Sequence, residues 1–257
     1  MKHSLTQKPK NLIKVGDVFE IGPHVLGCGD ARDTTFVDRV IGNAKISLLL
    51  SDPPYGVAFV ESKENFVAIK VNRKILNDGI VSESQYTQFT KDWLVPVVPH
   101  LANKNSVYIF NSDKMLFALR EGMERSGVRF SQLLVWIKNH VVIGRKDYLP
   151  QHELVAYGWH GTHEFKKAKD KSILFYSKPN KSPLHPTQKP VGLLRRLILN
   201  SSDINGVVYD CFAGSGSTGI AAEQCKRRSI LIERDEEYCQ TIINRFEREF
   251  GIKAKKI

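Results

Sequence analysis

Three features of this chain predict an α/β fold, with a mostly parallel sheet covered by helices on both faces. Apolar runs of strand length alternate with helical patterns along most of the 257 residues. One apolar run, Ile46–Leu50, stops at the rigid corner Asp52-Pro53-Pro54-Tyr55. Another, Gly206–Tyr209, leads into a glycine-rich turn that opens a helix. The length suits one large domain or two small ones, and residues 1–257 read as one.

The elements follow in order. After the strand Ile46–Leu50, Gln85–Leu101 reads as a helix that Pro96 kinks or ends. Ser106–Phe110 is a strand and Lys114–Arg125 a helix. Ser131–Ile137, His152–Tyr157 and Ser172–Tyr176 are further strands. Val191–Leu199 is a helix with Pro190 suited to its first turn. Gly206–Tyr209 is a strand, Ser217–Cys225 a helix and Ser229–Ile232 a strand. Asp235–Phe250 closes the pattern as an amphipathic helix, with Tyr238, Ile242, Phe246 and Phe250 four residues apart. Two polar segments interrupt it. Gly56–Ile80 carries Lys63, Lys70, Arg73 and Lys74, and His160–Lys189 is rich in lysine, serine and proline.

Bulk composition narrows the function. With 42% hydrophobic and 25% charged residues the chain is globular rather than disordered. A formal net charge of +11 favours a polyanionic partner, nucleic acid first, over a merely basic surface. Cys28, Cys211, Cys225 and Cys239 form no C-x-x-C pair, which argues against a zinc knuckle and for reduced, buried thiols. No metal site is expected: His160 and His163 have no acid or cysteine at ligand spacing. No apolar leader or membrane-length run is present, so a cytoplasmic protein is expected.

Two prolines in succession offer no N–H to a sheet ladder and hold Asp52 and Tyr55 in a fixed relation at a strand end. In "VVYDCFAGSGSTG", Gly214, Gly216 and Gly219 satisfy G-x-G-x-x-G, and Glu233 ends the next strand. By itself this spacing admits a dinucleotide, another adenosine-type ligand or a bare tight turn. Asp210 sits just ahead of the loop, where a carboxylate repels pyrophosphate and suits an ammonium. S-adenosylmethionine, with an ammonium, a ribose and no phosphate, fits better than a nicotinamide cofactor. "HPTQKP" sets His185, Thr187, Gln188 and Lys189 at a helix start, where a carboxylate is a natural guest and a plain helix cap the bland reading.

Together these segments resemble the amino-methylating (N6-adenine or N4-cytosine) DNA methyltransferases. Asp52-Pro53-Pro54-Tyr55 matches the family's catalytic motif and Phe212-Ala213-Gly214-Ser215-Gly216 its cofactor loop. The order, catalytic motif first and "HPTQKP" ahead of the glycine loop, resembles the β group. The resemblance implies a Rossmann-like, S-adenosylmethionine-dependent methyltransferase fold: a mostly parallel seven-stranded sheet with one antiparallel strand. It also implies methyl transfer to adenine N6, or alternatively cytosine N4, of a base flipped from double-stranded DNA. Asp52, Pro53, Pro54 and Tyr55 are then catalytic. Asp30, His185, Thr187, Gln188, Lys189, Asp210, Phe212, Ala213, Gly214, Ser215, Gly216, Ser217, Thr218 and Glu233 are then cofactor-binding. Residues 139–182, with little family signal, are expected to be a small target-recognition insertion. Lys63, Arg73, Lys74, Arg145, Lys146, Lys166 and Lys167 are the DNA-contact candidates. A homodimer and a companion restriction endonuclease are admissible further partners. The rivals are a non-catalytic DNA-binding protein of this fold and a nicotinamide-dependent dehydrogenase.

Overall fold

A computed structural model describes residues 13–55, 81–141, 147–167, 169–177 and 189–257. Its strands are β1 (Val18–Ile21), β2 (His24–Cys28), β3 (Ile46–Ser51), β4 (Leu101–Asn111), β5 (Arg129–Ile137), β6 (His152–Trp159), β7 (Thr162–His163), β8 (Ile173–Phe175), β9 (Val207–Asp210), β10 (Arg228–Glu233) and β11 (Ala254–Lys256). Its α-helices are α1 (Thr34–Ile41), α2 (Glu83–Leu94), α3 (Leu116–Arg125), α4 (Val191–Ser201), α5 (Ser217–Gln224) and α6 (Glu236–Phe250).

Seven strands form the centre of the sheet in the order β2-β10-β9-β3-β4-β6-β5. All run parallel except β6, which is antiparallel to both neighbours. This is the expected sheet with its single reversed strand. β1 and β11 extend one edge and β8 the other. Strand residues alternate in facing. Leu49, Ile109, Tyr209 and Ile232 pack with α1, α2 and α3 on one face. Leu48, Leu50, Tyr108 and Val208 pack with α4 and α5 on the other, and α6 covers the β2–β10 end of that face.

Several boundaries differ from expectation for physical reasons. α2 begins in a capping box between Ser82 and Gln85 and ends at Leu94, two residues ahead of Pro96, whose missing N–H and ring forbid continuation. The remainder of the expected helix, to Leu101, is a 3-10 turn, Val98–His100, leading into β4. α6 starts at Asp235, whose side chain caps the amides of Glu237 and Tyr238, and ends at Gly251 in a left-handed conformation. Its buried stripe is Cys239, Ile242, Arg245 and Phe246, with Tyr238 and Phe250 only half-buried. β1, β2 and α1 lie ahead of the first expected strand; the two strands are short and broken by the Gly22-Pro23 turn. The stretch 139–182 is not an appended insertion throughout, because β6 comes from it and pairs with both β4 and β5.

Among the described residues no helix is long and apolar enough to cross a membrane. All four cysteines are buried free thiols.

Candidate active site

β2, β3, β9 and β10 are parallel, so the residues after their carboxyl ends gather on one side of the sheet, where open α/β folds bind ligands. Asp52 and the glycine loop are far apart in sequence but meet because β3 and β9 are neighbours, with Leu49 opposite Tyr209. The junction is specific: the Ser51 hydroxyl donates to Asp210 Oδ1 at 2.7 Å.

Asp210 turns inward. Its carboxylate also accepts from Thr218 Oγ1 at 2.6 Å and the Phe212 amide at 3.1 Å. These donors use three of the carboxylate's roughly four acceptor positions. Asp210 thus holds the loop's shape, and an ammonium would meet its field rather than an open carboxylate. Burial pushes its pKa up to about 6, against the pull of these donors.

Each glycine of the loop has a steric reason. Gly214 and Gly216 adopt φ of 51° and 80°, which β-carbon-bearing residues rarely adopt. A β-carbon on Gly216 would lie 2.8 Å from Ile242, and one on Gly219 would lie 2.8 Å from Leu231. Gly219 therefore sets how closely α5 packs on β10. Ala213, Ser215, Ser217 and Thr218 are buried beneath the turn. Arg245, which the sequence reading did not single out, braces the loop from behind, donating to the Ser215 carbonyl at 2.7 Å and to Ser217 Oγ at 3.3 Å. Phe212 stays half-buried, edge-on to Trp93 at 5.4 Å.

Glu233 reaches the loop from the end of β10. Its carboxylate accepts from the Gly214 amide at 2.7 Å and the Asp235 amide at 2.9 Å. Burial raises its pKa to about 7, with the two amides opposing the shift. Asp30 follows β2 and is clamped by Arg32 at 2.7 Å, with Arg234 at 3.6 Å. The Arg32 hydrogen bonds lower its pKa.

The proline corner carries a network of alternating charge. The Tyr55 hydroxyl lies 2.7 Å from Asp52 Oδ1 and 3.1 Å from Glu153 Oε2. The Lys189 ammonium is bonded to Asp52 Oδ2 and lies 3.2 Å from Glu153. Lys138 pairs with the other Glu153 oxygen at 2.7 Å. Burial pushes the Asp52 carboxyl up while Lys189 pulls it back. Burial works against the Lys189 ammonium, but Asp52 and Glu153 outweigh it and raise its pKa.

Lys189, expected beside a cofactor anion, is here set against Asp52 and Glu153. It is 7% exposed, and a buried ammonium must take the carboxylates within reach. Glu153 lies within the expected strand His152–Tyr157 and was not among the expected site residues. β6 is antiparallel, so its starting end lies where the parallel strands finish, and an acid there joins the acids at their ends. An acid heading the apolar run "LVAY" is the signal that could have found it, the counterpart of Asp52, which follows the end of one.

The remaining expectations divide. His185, Thr187, Gln188, Lys63, Arg73, Lys74, Arg145 and Lys146 lie outside the described residues. Lys166, a DNA-contact candidate, has its ammonium held by Glu164 and Asp203 at 2.7 Å each. Its amide bonds Asn200 at the end of α4, which puts Lys166 and its neighbour Lys167 near the starting end of β9, opposite the site. His160 bonds the Gly127 carbonyl at 2.8 Å, and His163 stacks on Trp159 at 4.2 Å. Cys211 is buried against Ser51, and burial raises its pKa far above the ordinary thiol value.

A family model for N6/N4 methyltransferases, described as DNA methylase, matches residues 46–245. The type II methyltransferase M1.MboII of Moraxella bovis is 25% identical over 260 residues, covering 84% of this chain and 92% of that protein. The structure of the M1.HpyAVI–SAM complex aligns with a TM-score of 0.63 at 24% identity, over 86% of this chain and 98% of that one. The cytosine-N4-specific PvuII DNA methyltransferase aligns with a TM-score of 0.63 at 15% identity, over 87% and 92%. At these identities the two solved structures speak to the shared fold.

Proposed function

The chain belongs to the N6/N4 methyltransferase family of DNA methylases, and on that premise we propose that it methylates adenine N6 in double-stranded DNA, using S-adenosylmethionine. The observation that carries this reading is the Ser51–Asp210 hydrogen bond, which joins the amine-binding corner to the cofactor loop at 2.7 Å. The donor set fits this cofactor. Carboxylates at Asp210 and Glu233 and the left-handed Gly214 and Gly216 make a tight, anionic cradle. It suits a cationic ligand with a ribose and disfavours a pyrophosphate, which argues against a nicotinamide cofactor. When bound, S-adenosylmethionine supplies an electrophilic sulfonium methyl group.

The chain's own residues then act on the amine. The lone pair of an exocyclic amine is delocalised into the base. Asp52 would accept from one N–H and the Pro53 carbonyl from the other, drawing the nitrogen toward tetrahedral geometry. The prolines fix the direction of both acceptors. The Tyr55 ring would receive the flipped base. Positioning and fixed charge supply most of the acceleration. Recognition of the target sequence is assigned to the connections flanking β6 within 139–182. M1.MboII is a type II methyltransferase, which supports a restriction–modification setting.

In this family aspartate at the place of Asp52 is more usual for adenine and serine for cytosine, and that supports adenine. The cytosine-N4-specific PvuII neighbour, equal in TM-score to M1.HpyAVI, is the reason to keep cytosine N4 as the second reading. The test uses purified protein, mixed-sequence duplex DNA and methyl-labelled cofactor, with the DNA digested to nucleosides for mass spectrometry. Label in N6-methyladenine is expected. Label in N4-methylcytosine would change the base and keep the mechanism.

Glu233 sets an expected pH dependence. With its pKa at about 7, it becomes ionised, and so a full acceptor for ribose hydroxyls, as pH rises from 6 to 8. Affinity for S-adenosylmethionine should rise up to about tenfold across that interval, and Glu233→Gln should flatten the profile in calorimetry. Folding stability of the free protein should move the other way. The raised pKa means the folded state holds this proton more tightly, so the contribution is full at low pH and lost as pH climbs through about 7. An affinity that falls between pH 6 and 8 would contradict the role of Glu233.

A further inference from the structure

The oxygens of Asp52 assigned to the incoming amine already carry two donors: the Tyr55 hydroxyl on Oδ1 and the Lys189 ammonium on Oδ2. A single amine N–H arriving along the line of either donor displaces that donor, which then needs another acceptor. For Lys189 the need is strict, because a buried ammonium stripped of its counter-ion is strongly unfavourable.

Glu153 stands at that position. Its Oε2 is 3.2 Å from Lys189 Nζ and 3.1 Å from the Tyr55 hydroxyl, so both donors are already within reach of a second carboxylate. Its Oε1 is held at 2.7 Å by Lys138, itself buried and lying over the Trp136 ring. Lys138 extends β5, and its amide donates to the Gln151 carbonyl at 2.8 Å, so the Lys138–Glu153 pair closes the β5–β6 hairpin beside the corner.

We propose that Glu153 is a positioning residue for the target base, the carboxylate that takes over whichever of Lys189 and the Tyr55 hydroxyl the exocyclic amine displaces from Asp52. No bond to hydrogen breaks in this exchange: the displaced group keeps its protons and changes partner. The charges of Asp52, Lys189, Glu153 and Lys138 sum to zero before and after, so base entry strands no buried charge. The inference rests on the methyl-transfer reading above.

The test compares wild type, Glu153→Gln and Glu153→Asp. It measures methyl transfer to mixed-sequence duplex DNA in a single turnover with enzyme in excess, and S-adenosylmethionine affinity by calorimetry. Glu153→Gln removes the charge but keeps the shape. It should bind the cofactor like wild type and transfer about tenfold or more slowly. Glu153→Asp, which keeps the charge, should recover most of that loss. A merely structural role would lower thermal stability without this charge-dependent rescue. Wild-type speed in Glu153→Gln, or equal losses in both variants, would overturn the handover. Should Glu153→Gln fail to fold, Glu153→Asp decides: a transfer rate near wild type with intact cofactor binding supports the proposal, and a loss of about tenfold overturns it. A wild-type protein that labels no DNA would instead remove the underlying methyl-transfer reading.

Discussion

Asp52→Ala is expected to bind S-adenosylmethionine almost as well as wild type and to transfer methyl groups roughly 10²–10³-fold more slowly, the usual scale for deleting one preorganised electrostatic contact. The separation follows from where the side chain points. Asp52 bonds Tyr55 and Lys189, whereas the glycine loop is organised by Asp210, Glu233 and Arg245. Removing the carboxylate leaves the loop intact and the amine without its charged acceptor. Lys189 keeps Glu153 as a counter-ion, so the fold should survive. Asp52→Asn, which retains an acceptor of the same shape, should fall between the two. Calorimetry and labelled methyl transfer on one preparation make the measurement. Asp52→Ala turning over at the wild-type rate would remove Asp52 from the mechanism.

Gly158→Ala should be among the most destabilising small substitutions in the sheet. Gly158 lies in β6, and a β-carbon there would sit 1.8 Å from the Arg129 carbonyl oxygen and 2.9 Å from its carbon. Both contacts are to backbone, so no side chain can swing aside. β5 already carries an irregularity between Phe130 and Gln132, opposite Gly158 and Tyr157. Strand β6 must shift, at a cost of about 3 kcal/mol or more, and a loss of that size lowers Tm by roughly 6–12 °C in a chain this long. Because Glu153 lies on the same strand, the variant should also transfer methyl groups slowly while folded. Thermal unfolding followed by circular dichroism checks the stability. A Tm within about 2 °C of wild type would contradict the close approach.

Much of the site could be read from local sequence because its parts are local devices. Adjacent prolines make a corner wherever they occur, and left-handed glycines before a helix make a ligand loop. Strand residues with apolar neighbours declare buried strands, which is how β3, β9 and β10 were found. β1 and β2 were missed because four or five residues around Gly22-Pro23 carry too little periodicity to stand out. α2 was overextended because the apolar pattern runs on past Pro96 into β4.

The sequence by itself determined the α/β class, from alternation along the chain, and the corner at Asp52, the glycine loop and the acid at Glu233, from patterns within or just beyond single elements. Tertiary structure decided what those pieces touch. That β9 lies beside β3, so that Ser51 bonds Asp210, is a property of sheet order. That Glu153 faces the same crevice depends on β6 running backwards. That Lys189 serves Asp52 and Glu153 depends on its burial, because an ammonium removed from water takes the nearest carboxylates, whichever strands bring them.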